Sequence, residues 1–169
     1  MESLTAEIDR PAIINHKDKL AAYVELTKPR IAVLLVLTSA AGFYLGTSGA
    51  FDVPLFVNSI LAITLLALGV ATLNQYWERH IDPLMERTAN RPLPTRRIGE
   101  REALVFGIIQ CAAAEAYLFL VVNTLTAILG LLVIVGYVFV YTPLKTRTSA
   151  STAIGAIPGA LPPLMGWTA

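Results

Sequence analysis

Asn74, Glu78 and Asp82 follow one another at four-residue intervals in the run Asn74-Gln75-Tyr76-Trp77-Glu78-Arg79-His80-Ile81-Asp82. On a helix turning about 100° per residue, Asn74 and Glu78 share a face and Asp82 lies one turn further on, roughly 12 Å from Asn74 along the axis. Gln75 offers another amide oxygen, displaced around the helix by that same angle. Pro83 disfavours helical geometry at Asp82, so the helix is expected to end there and let that carboxylate swing toward the others. Carboxylate and amide oxygens without thiolates suit a hard cation, and Mg²⁺ commonly combines one or two carboxylates with waters and substrate phosphate oxygens. Two distant histidines and one cysteine cannot supply a zinc site. The plain alternative is a helix end at which Glu78 pairs with neighbouring Arg79.

Anion-binding residues follow. Glu86-Arg87-Thr88-Ala89-Asn90-Arg91-Pro92-Leu93-Pro94 sets Arg87 and Arg91 four apart, where guanidinium forks can grip diphosphate oxygens. Arg96, Arg97 and Arg101 read better as topology signals or contacts to anionic lipid headgroups. Further on, Tyr141-Thr142-Pro143-Leu144-Lys145 ends an apolar run; Pro143 stops the helix and Lys145 can reach back as a point charge to a phosphate. In isolation that pair is equally an aromatic belt residue and a snorkelling lysine. Lys28-Pro29-Arg30 opens the first apolar run, and Arg30 either completes the anion pocket or anchors topology.

The elements that must position these groups are membrane spans. Hydrophobic residues make up 55% of the 169-residue chain, and its mean hydropathy of +0.62 is far above that of a soluble domain. Residues 31–47, 55–73, 103–122 and 125–140 each approach the roughly 20 apolar residues that cross a hydrocarbon core. A fifth stretch, 153–169, carries Gly155, Pro158, Gly159, Pro162, Pro163 and Gly166, and is expected to be a broken or kinked span. The 13 Lys and Arg residues fall before the first span, between the second and third, and after the fourth; the segments 48–54 and 123–124 hold none. The positive-inside rule then makes the N-terminus and the Arg-rich loop cytoplasmic, or matrix-facing in an organelle. The first twenty residues lack an apolar core and mix acidic with basic residues, which argues against a signal or transit peptide and favours a bacterial inner membrane. Residues 19–27, with Leu20, Ala21, Val24 and Leu26 among charged residues, suit an amphipathic segment lying at the headgroups. Residues 1–28 thus form a cytoplasmic leader, and 29–169 an all-α, polytopic transmembrane bundle of four complete spans plus the broken fifth.

Three residues stand apart. Glu115 sits in the third span, where an ionisable group has either a substrate or proton role or a hydrogen-bonded place between helices. Gln110 is about 140° away around that helix and is not an obvious partner. Cys111, the lone cysteine, reads as a buried inert thiol. His80, in an exposed basic loop without a C-x-x-C-H motif, is a poor heme-iron ligand.

Together these residues resemble the UbiA superfamily of intramembrane prenyltransferases, whose first acidic motif has the form N-D-x-x-D-x-x-x-D; here it reads Asn74, Gln75, Glu78 and Asp82. The Gln and Glu at two of those positions, Met85-Glu86-Arg87-Thr88, Asn90-Arg91-Pro92-Leu93-Pro94 and Tyr141-Thr142-Pro143-Leu144-Lys145-Thr146-Arg147-Thr148 are similar to the branch that farnesylates heme b. So is Ile154-Gly155-Ala156-Ile157-Pro158-Gly159-Ala160-Leu161-Pro162-Pro163. The resemblance implies a nine-helix fold of which this chain is the N-terminal half, with a second acidic motif beyond it and no turnover by this part alone. It implies farnesyl diphosphate and heme b as substrates, Mg²⁺ held through the diphosphate by Asn74, Glu78 and Asp82, and Arg87, Arg91, Lys145 and Arg30 on the diphosphate. Tyr141 would face the allylic cation or orient Lys145. The product would be heme O for terminal oxidases, with heme A synthase or oxidase assembly factors as partners. Rival readings are a prenyltransferase acting on a quinone precursor, a non-enzymatic membrane assembly subunit and, less well supported, a transporter.

Overall fold

The structure, a computed structural model, describes residues 15–169; the first part of the leader, with Arg10, lies outside them. The described residues form helices joined by turns. Helix α1 is His16–Leu26, α2 is Pro29–Gly46 and α3 is Val53–Glu78. After a loop containing the short 3₁₀ turn Asp82–Leu84 come α4 (Glu100–Val122), α5 (Thr124–Leu144) and α6 (Ser151–Thr168). Four helices, α2 to α5, are long and apolar enough to cross a bilayer. Large apolar side chains such as Leu34, Leu45 and Leu120 stand on the outside of the bundle. Such a surface needs lipid around it, and the chain is a multi-pass membrane protein.

Local sequence sets the helix ends. Pro29 and Pro54 occupy first-turn positions, where the missing N–H costs nothing. The Asp52 side chain accepts from Leu55 N at 2.9 Å and the Asn123 side chain from Thr126 N at 2.8 Å, caps of the kind that contribute about 1 kcal/mol each. The last turns of α4 and most of the second half of α5 (Val135–Tyr141) are π-helical. That widening lets Thr142 Oγ1 donate to the Tyr137 carbonyl at 2.7 Å, five residues back.

Helix α6 is the stretch expected to be broken or kinked. It stays helical through Pro158, Pro162 and Pro163. The three prolines leave three carbonyls without their helical N–H partners, and two of these, on Pro158 and Gly159, belong to residues lining an internal cavity. Close packing supplies the rest of the support. A Cβ on Gly42 of α2 would lie 2.0 Å from the Pro163 oxygen, and one on Gly166 1.9 Å from the Ser39 oxygen, so the two backbones touch. Ser39 Oγ donates to the Pro162 carbonyl across this contact at 2.9 Å, the use of small residues expected where helices associate in lipid.

A second, smaller core forms at the end of the bundle that carries the basic residues. Leu93 and Ile98 of the α3–α4 loop pack with Ala22 and Leu26 of α1 and Ala103 of α4. Arg97 pairs with Glu25 of α1 at 2.8 Å, and Lys19 with Glu102 of α4 at 2.7 Å. Helix α1 therefore buries Ala22 and Leu26, one turn apart, while Leu20 and Val24 stay exposed. The apolar residues of 19–27 divide between a face packed on the cap and an exposed face that carries Leu20 and Val24. The long loop is thus a folded cap, braced from both sides.

Candidate active site at the basic end of the bundle

Helix α3 ends at Glu78, one turn earlier than Asp82. The chain then bends through His80 and re-enters a 3₁₀ turn, which brings the Asp82 carboxylate back beside Glu78. Thr88 Oγ1 donates to the Asp82 carbonyl at 2.8 Å and holds that turn. Asn74, Glu78 and Asp82 are 2%, 7% and 0% exposed. Burial of two carboxylates is costly unless cations meet them.

Cations arrive from three separate elements. From the loop, Arg91 Nη1 lies 2.7 Å from both carboxylate oxygens of Asp82 and 3.3 Å from Glu78 Oε2, so one guanidinium bridges the two acids. From the end of α5, Lys145 Nζ lies 2.9 Å from Glu78 Oε1. From the α1–α2 turn, Lys28 Nζ donates to Asn74 Oδ1, while Asn74 Nδ2 donates to Thr142 Oγ1 at 3.2 Å. Lys28 adopts left-handed backbone geometry, φ 51° and ψ 58°, just before Pro29. That conformation costs about 1–2 kcal/mol for a non-glycine residue and aims the side chain inward. Burial, reinforced by Arg91, pulls the Lys28 pKa down to about 8 against the opposing pull of Glu78 and Asp82.

Through Lys28 the cluster borders an apolar cavity. Its walls come from α2, α3, α5 and α6, among them Leu35, Leu66, Val70, Val133, Pro162 and Met165, and among the described residues Lys28 is its one charged lining residue. An amphiphile with an anionic head and a hydrocarbon tail has a matching surface here, with Lys28 at the joint between the two parts. Cations outnumber carboxylates by one, so a diphosphate monoester carrying one divalent metal, net singly negative, would neutralise the site. The oxygens of Asn74, Glu78 and Asp82 fit a magnesium ion, which tolerates two carboxylates and completes its shell with water and phosphate oxygens.

Arg91 and Lys145 thus join the acidic motif. Glu78 pairs with them and not with Arg79, which instead binds Glu100 at 2.7 Å and lies 4.2 Å from the centre of the Tyr76 ring. Arg87 and Arg30, expected on the diphosphate, are not brought in. Arg87 lies on an exposed turn because the loop is not helical from 87 to 91, and Arg30 is exposed on the first turn of α2, about 200° around from where Lys28 would project if helical. The Tyr141 ring packs at a tilt of 46° against Tyr137, ring centres 5.0 Å apart, and lies over Gly155 of α6, while its carbonyl accepts from Lys145 N at 2.9 Å. Gln75 turns away, its amide donating to the carbonyls of Glu25 and Leu26. Lys28 was the residue sequence reasoning missed. A lysine before a proline at a span's start looks like a topology anchor, and only its left-handed turn makes it a site residue.

In the middle of the bundle, Gln110 accepts from Thr72 Oγ1 at 3.2 Å. It does not pair with Glu115, whose Oε1 is buried against Gly130 without a hydrogen-bond partner. Cys111 is a buried free thiol and His80 is exposed.

Residues 35–169 match the family model of the UbiA prenyltransferase family. The chain is 50% identical over 153 residues to a protoheme IX farnesyltransferase of Myxococcus xanthus, covering 86% of this chain and 49% of that protein. It is 42% identical over 156 residues to one of Solibacter usitatus, covering 87% and 53%. In fold it is similar to a UbiA homolog from Archaeoglobus fulgidus bound to DMAPP and Mg²⁺, with a TM-score of 0.75 at 23% identity, covering 86% of this chain and 53% of that one. The chain spans about half the length of the curated relatives it matches. Its motif residues from Asn74 to Lys145 all fall inside the matched region, and the chain belongs to the UbiA prenyltransferase family.

Proposed function

We propose that the protein transfers a farnesyl group from farnesyl diphosphate to a vinyl group of heme b, with addition of water, giving heme O. The observation that carries this reading is the convergence of Lys28, Arg91 and Lys145 on Asn74, Glu78 and Asp82 at the mouth of an apolar cavity. The choice of substrates rests on the names of the relatives, protoheme IX farnesyltransferases at 42–50% identity. We place the basic end on the cytoplasmic side, since all 13 Lys and Arg residues fall on that side of the spans, and the membrane as a bacterial inner one, as the bacterial relatives favour.

The polar cluster binds the diphosphate and the cavity takes the isoprenoid chain. Asn74, Glu78 and Asp82 would hold magnesium, which would draw charge off the diphosphate oxygens. Arg91 and Lys145 leave their carboxylates to pair with those oxygens, and Lys28 meets the phosphate nearest the allylic carbon. As the allylic C–O bond breaks, its electron pair leaves with the diphosphate, and the three cations stabilise the charge that develops there. The vinyl carbon of heme b attacks the allylic centre, and the cation left on the vinyl group takes a water oxygen and loses a proton. The apolar walls keep water from the allylic cation until then.

Incubating the membrane-reconstituted protein with heme b, farnesyl diphosphate and Mg²⁺ tests this directly. Mass spectrometry should detect hydroxyethylfarnesyl heme. Prenylation of an aromatic quinone precursor under the same conditions, with none of heme b, would contradict the assignment of the acceptor.

A further inference from the structure

Gln75 follows Asn74 in sequence but points about 100° away around α3, out of the carboxylate cluster. It is 1% exposed. Its Nε2 donates to the carbonyl of Leu26 at 2.9 Å and to that of Glu25 at 3.2 Å, which are among the carbonyls that the end of α1 leaves without helical partners. The opposite amide orientation would set an oxygen against two carbonyl oxygens, so the donor assignment is fixed by the network. The other end of the amide, Oε1, is buried and has no donor. Everything Gln75 contributes therefore passes through its N–H bonds to α1.

Two residues after Leu26 stands Lys28, in the left-handed conformation that a lysine adopts only when its surroundings impose it. Its ammonium returns to Asn74, the neighbour of Gln75. The chain thus closes a small ring: α3 grips the end of α1 through Gln75, and α1's exit turn hands Lys28 back to α3 through Asn74. Lys28 N also bonds to the Glu25 carbonyl at 3.2 Å, the same carbonyl that Gln75 holds.

We propose that Gln75 is a positioning residue for the prenyl diphosphate site, fixing the end of α1 so that the Thr27–Lys28 turn delivers the Lys28 ammonium to Asn74 and the cavity mouth. This rests on the prenyl diphosphate reading of the site. An amide is required there because the partners are two acceptors; an ionised carboxylate would repel both and find no donor of its own.

A double-mutant cycle tests the assignment, with Mg²⁺-dependent affinity for farnesyl thiolodiphosphate measured on the protein in lipid nanodiscs. Gln75→Met keeps the side-chain length and removes the donors. It should weaken binding about tenfold, as should Lys28→Met, and the double variant should be no weaker than Lys28→Met alone. Gln75→Leu, a second probe should Gln75→Met fold poorly, should weaken binding to a similar extent and likewise add nothing to Lys28→Met. Independent losses that multiply in the double variant, or parental affinity in Gln75→Met, would overturn the proposal. Parental binding by both Lys28→Met and Asp82→Asn would instead sink the prenyl diphosphate reading itself, and this assignment with it.

Discussion

Two acidic regions in this bundle, one buried and one half-buried, are treated in opposite ways. At the end of α3, Glu78 and Asp82 are met by Arg91 and Lys145, delivered from two different elements, with Lys28 from a third on the adjacent Asn74. In α4, Glu115 is packed against Gly130 with one oxygen lacking any partner, and among the described residues no cation pairs with it. The difference supports the proposed site. Ion pairs can be exchanged for pairs to an incoming anion, so we read the first region as a binding site held in self-neutralised form. A carboxyl wedged against a glycine has nothing to exchange.

Removing the bridging cation should give the largest effect. Arg91→Met leaves two buried carboxylates without their shared partner and is expected to cost about 3–5 kcal/mol of stability, read as a lowered Tm in detergent. A Tm within a degree or two of the parent would mean that the acids are hydrated and not ion-paired. Next comes Asp82→Asn, which keeps shape and loses a ligand charge; affinity for Mg²⁺ with a prenyl diphosphate analogue should fall about 10–100-fold, while Glu115→Gln should change it less than about twofold. Equal losses in the two variants would erase the distinction between the regions.

A smaller effect follows from Lys28. Burial, with Arg91 adding to it, holds this ammonium near pKa 8, so below that pH it is charged and above it neutral. A bound diphosphate favours the charged form and raises the pKa. Binding should therefore take up as much as one proton between pH 8 and the raised value, and affinity should decline as pH climbs through that window. Titration calorimetry in buffers of different ionisation enthalpy reads the proton uptake, and Lys28→Met should abolish it. Arg87→Ala belongs at the small end, with a change below about threefold expected for an exposed arginine that makes no ion pair among the described residues.

The spans were legible because burial in lipid demands an unbroken apolar run, and α2 to α5 each carry one. The acidic cluster was legible because Asn74 and Glu78 are one turn apart on α3, while Pro83 signals the end of the helix from which Asp82 turns back. Arg91 and Lys145 were identifiable as cations at the right end of spans, though Arg87 and Arg30 looked no different from them. Choosing among those four depends on the irregular path of the α3–α4 loop, which rests on Leu93 and Ile98 finding α1, a contact between segments some seventy residues apart. For Gln75, whose oxygen was expected to be displaced around the helix, sequence shows an amide but not which end of it is used; here it is Nε2, on the carbonyls of Glu25 and Leu26. The prolines of α6 were taken as breaks because their support comes from the backbone of α2, which no local pattern encodes.

The central claim is that the Asn74–Asp82 cluster is a magnesium–diphosphate site and not a generic charged surface. Binding of farnesyl thiolodiphosphate to the reconstituted protein, with and without Mg²⁺, tests it most directly in Asn74→Ala, Asp82→Ala and Arg97→Ala. Arg97 is as basic and close in sequence, but is committed to Glu25. The account predicts magnesium-dependent binding that is lost in the first two variants and kept in Arg97→Ala; equal loss in all three, or binding indifferent to Mg²⁺, would contradict it.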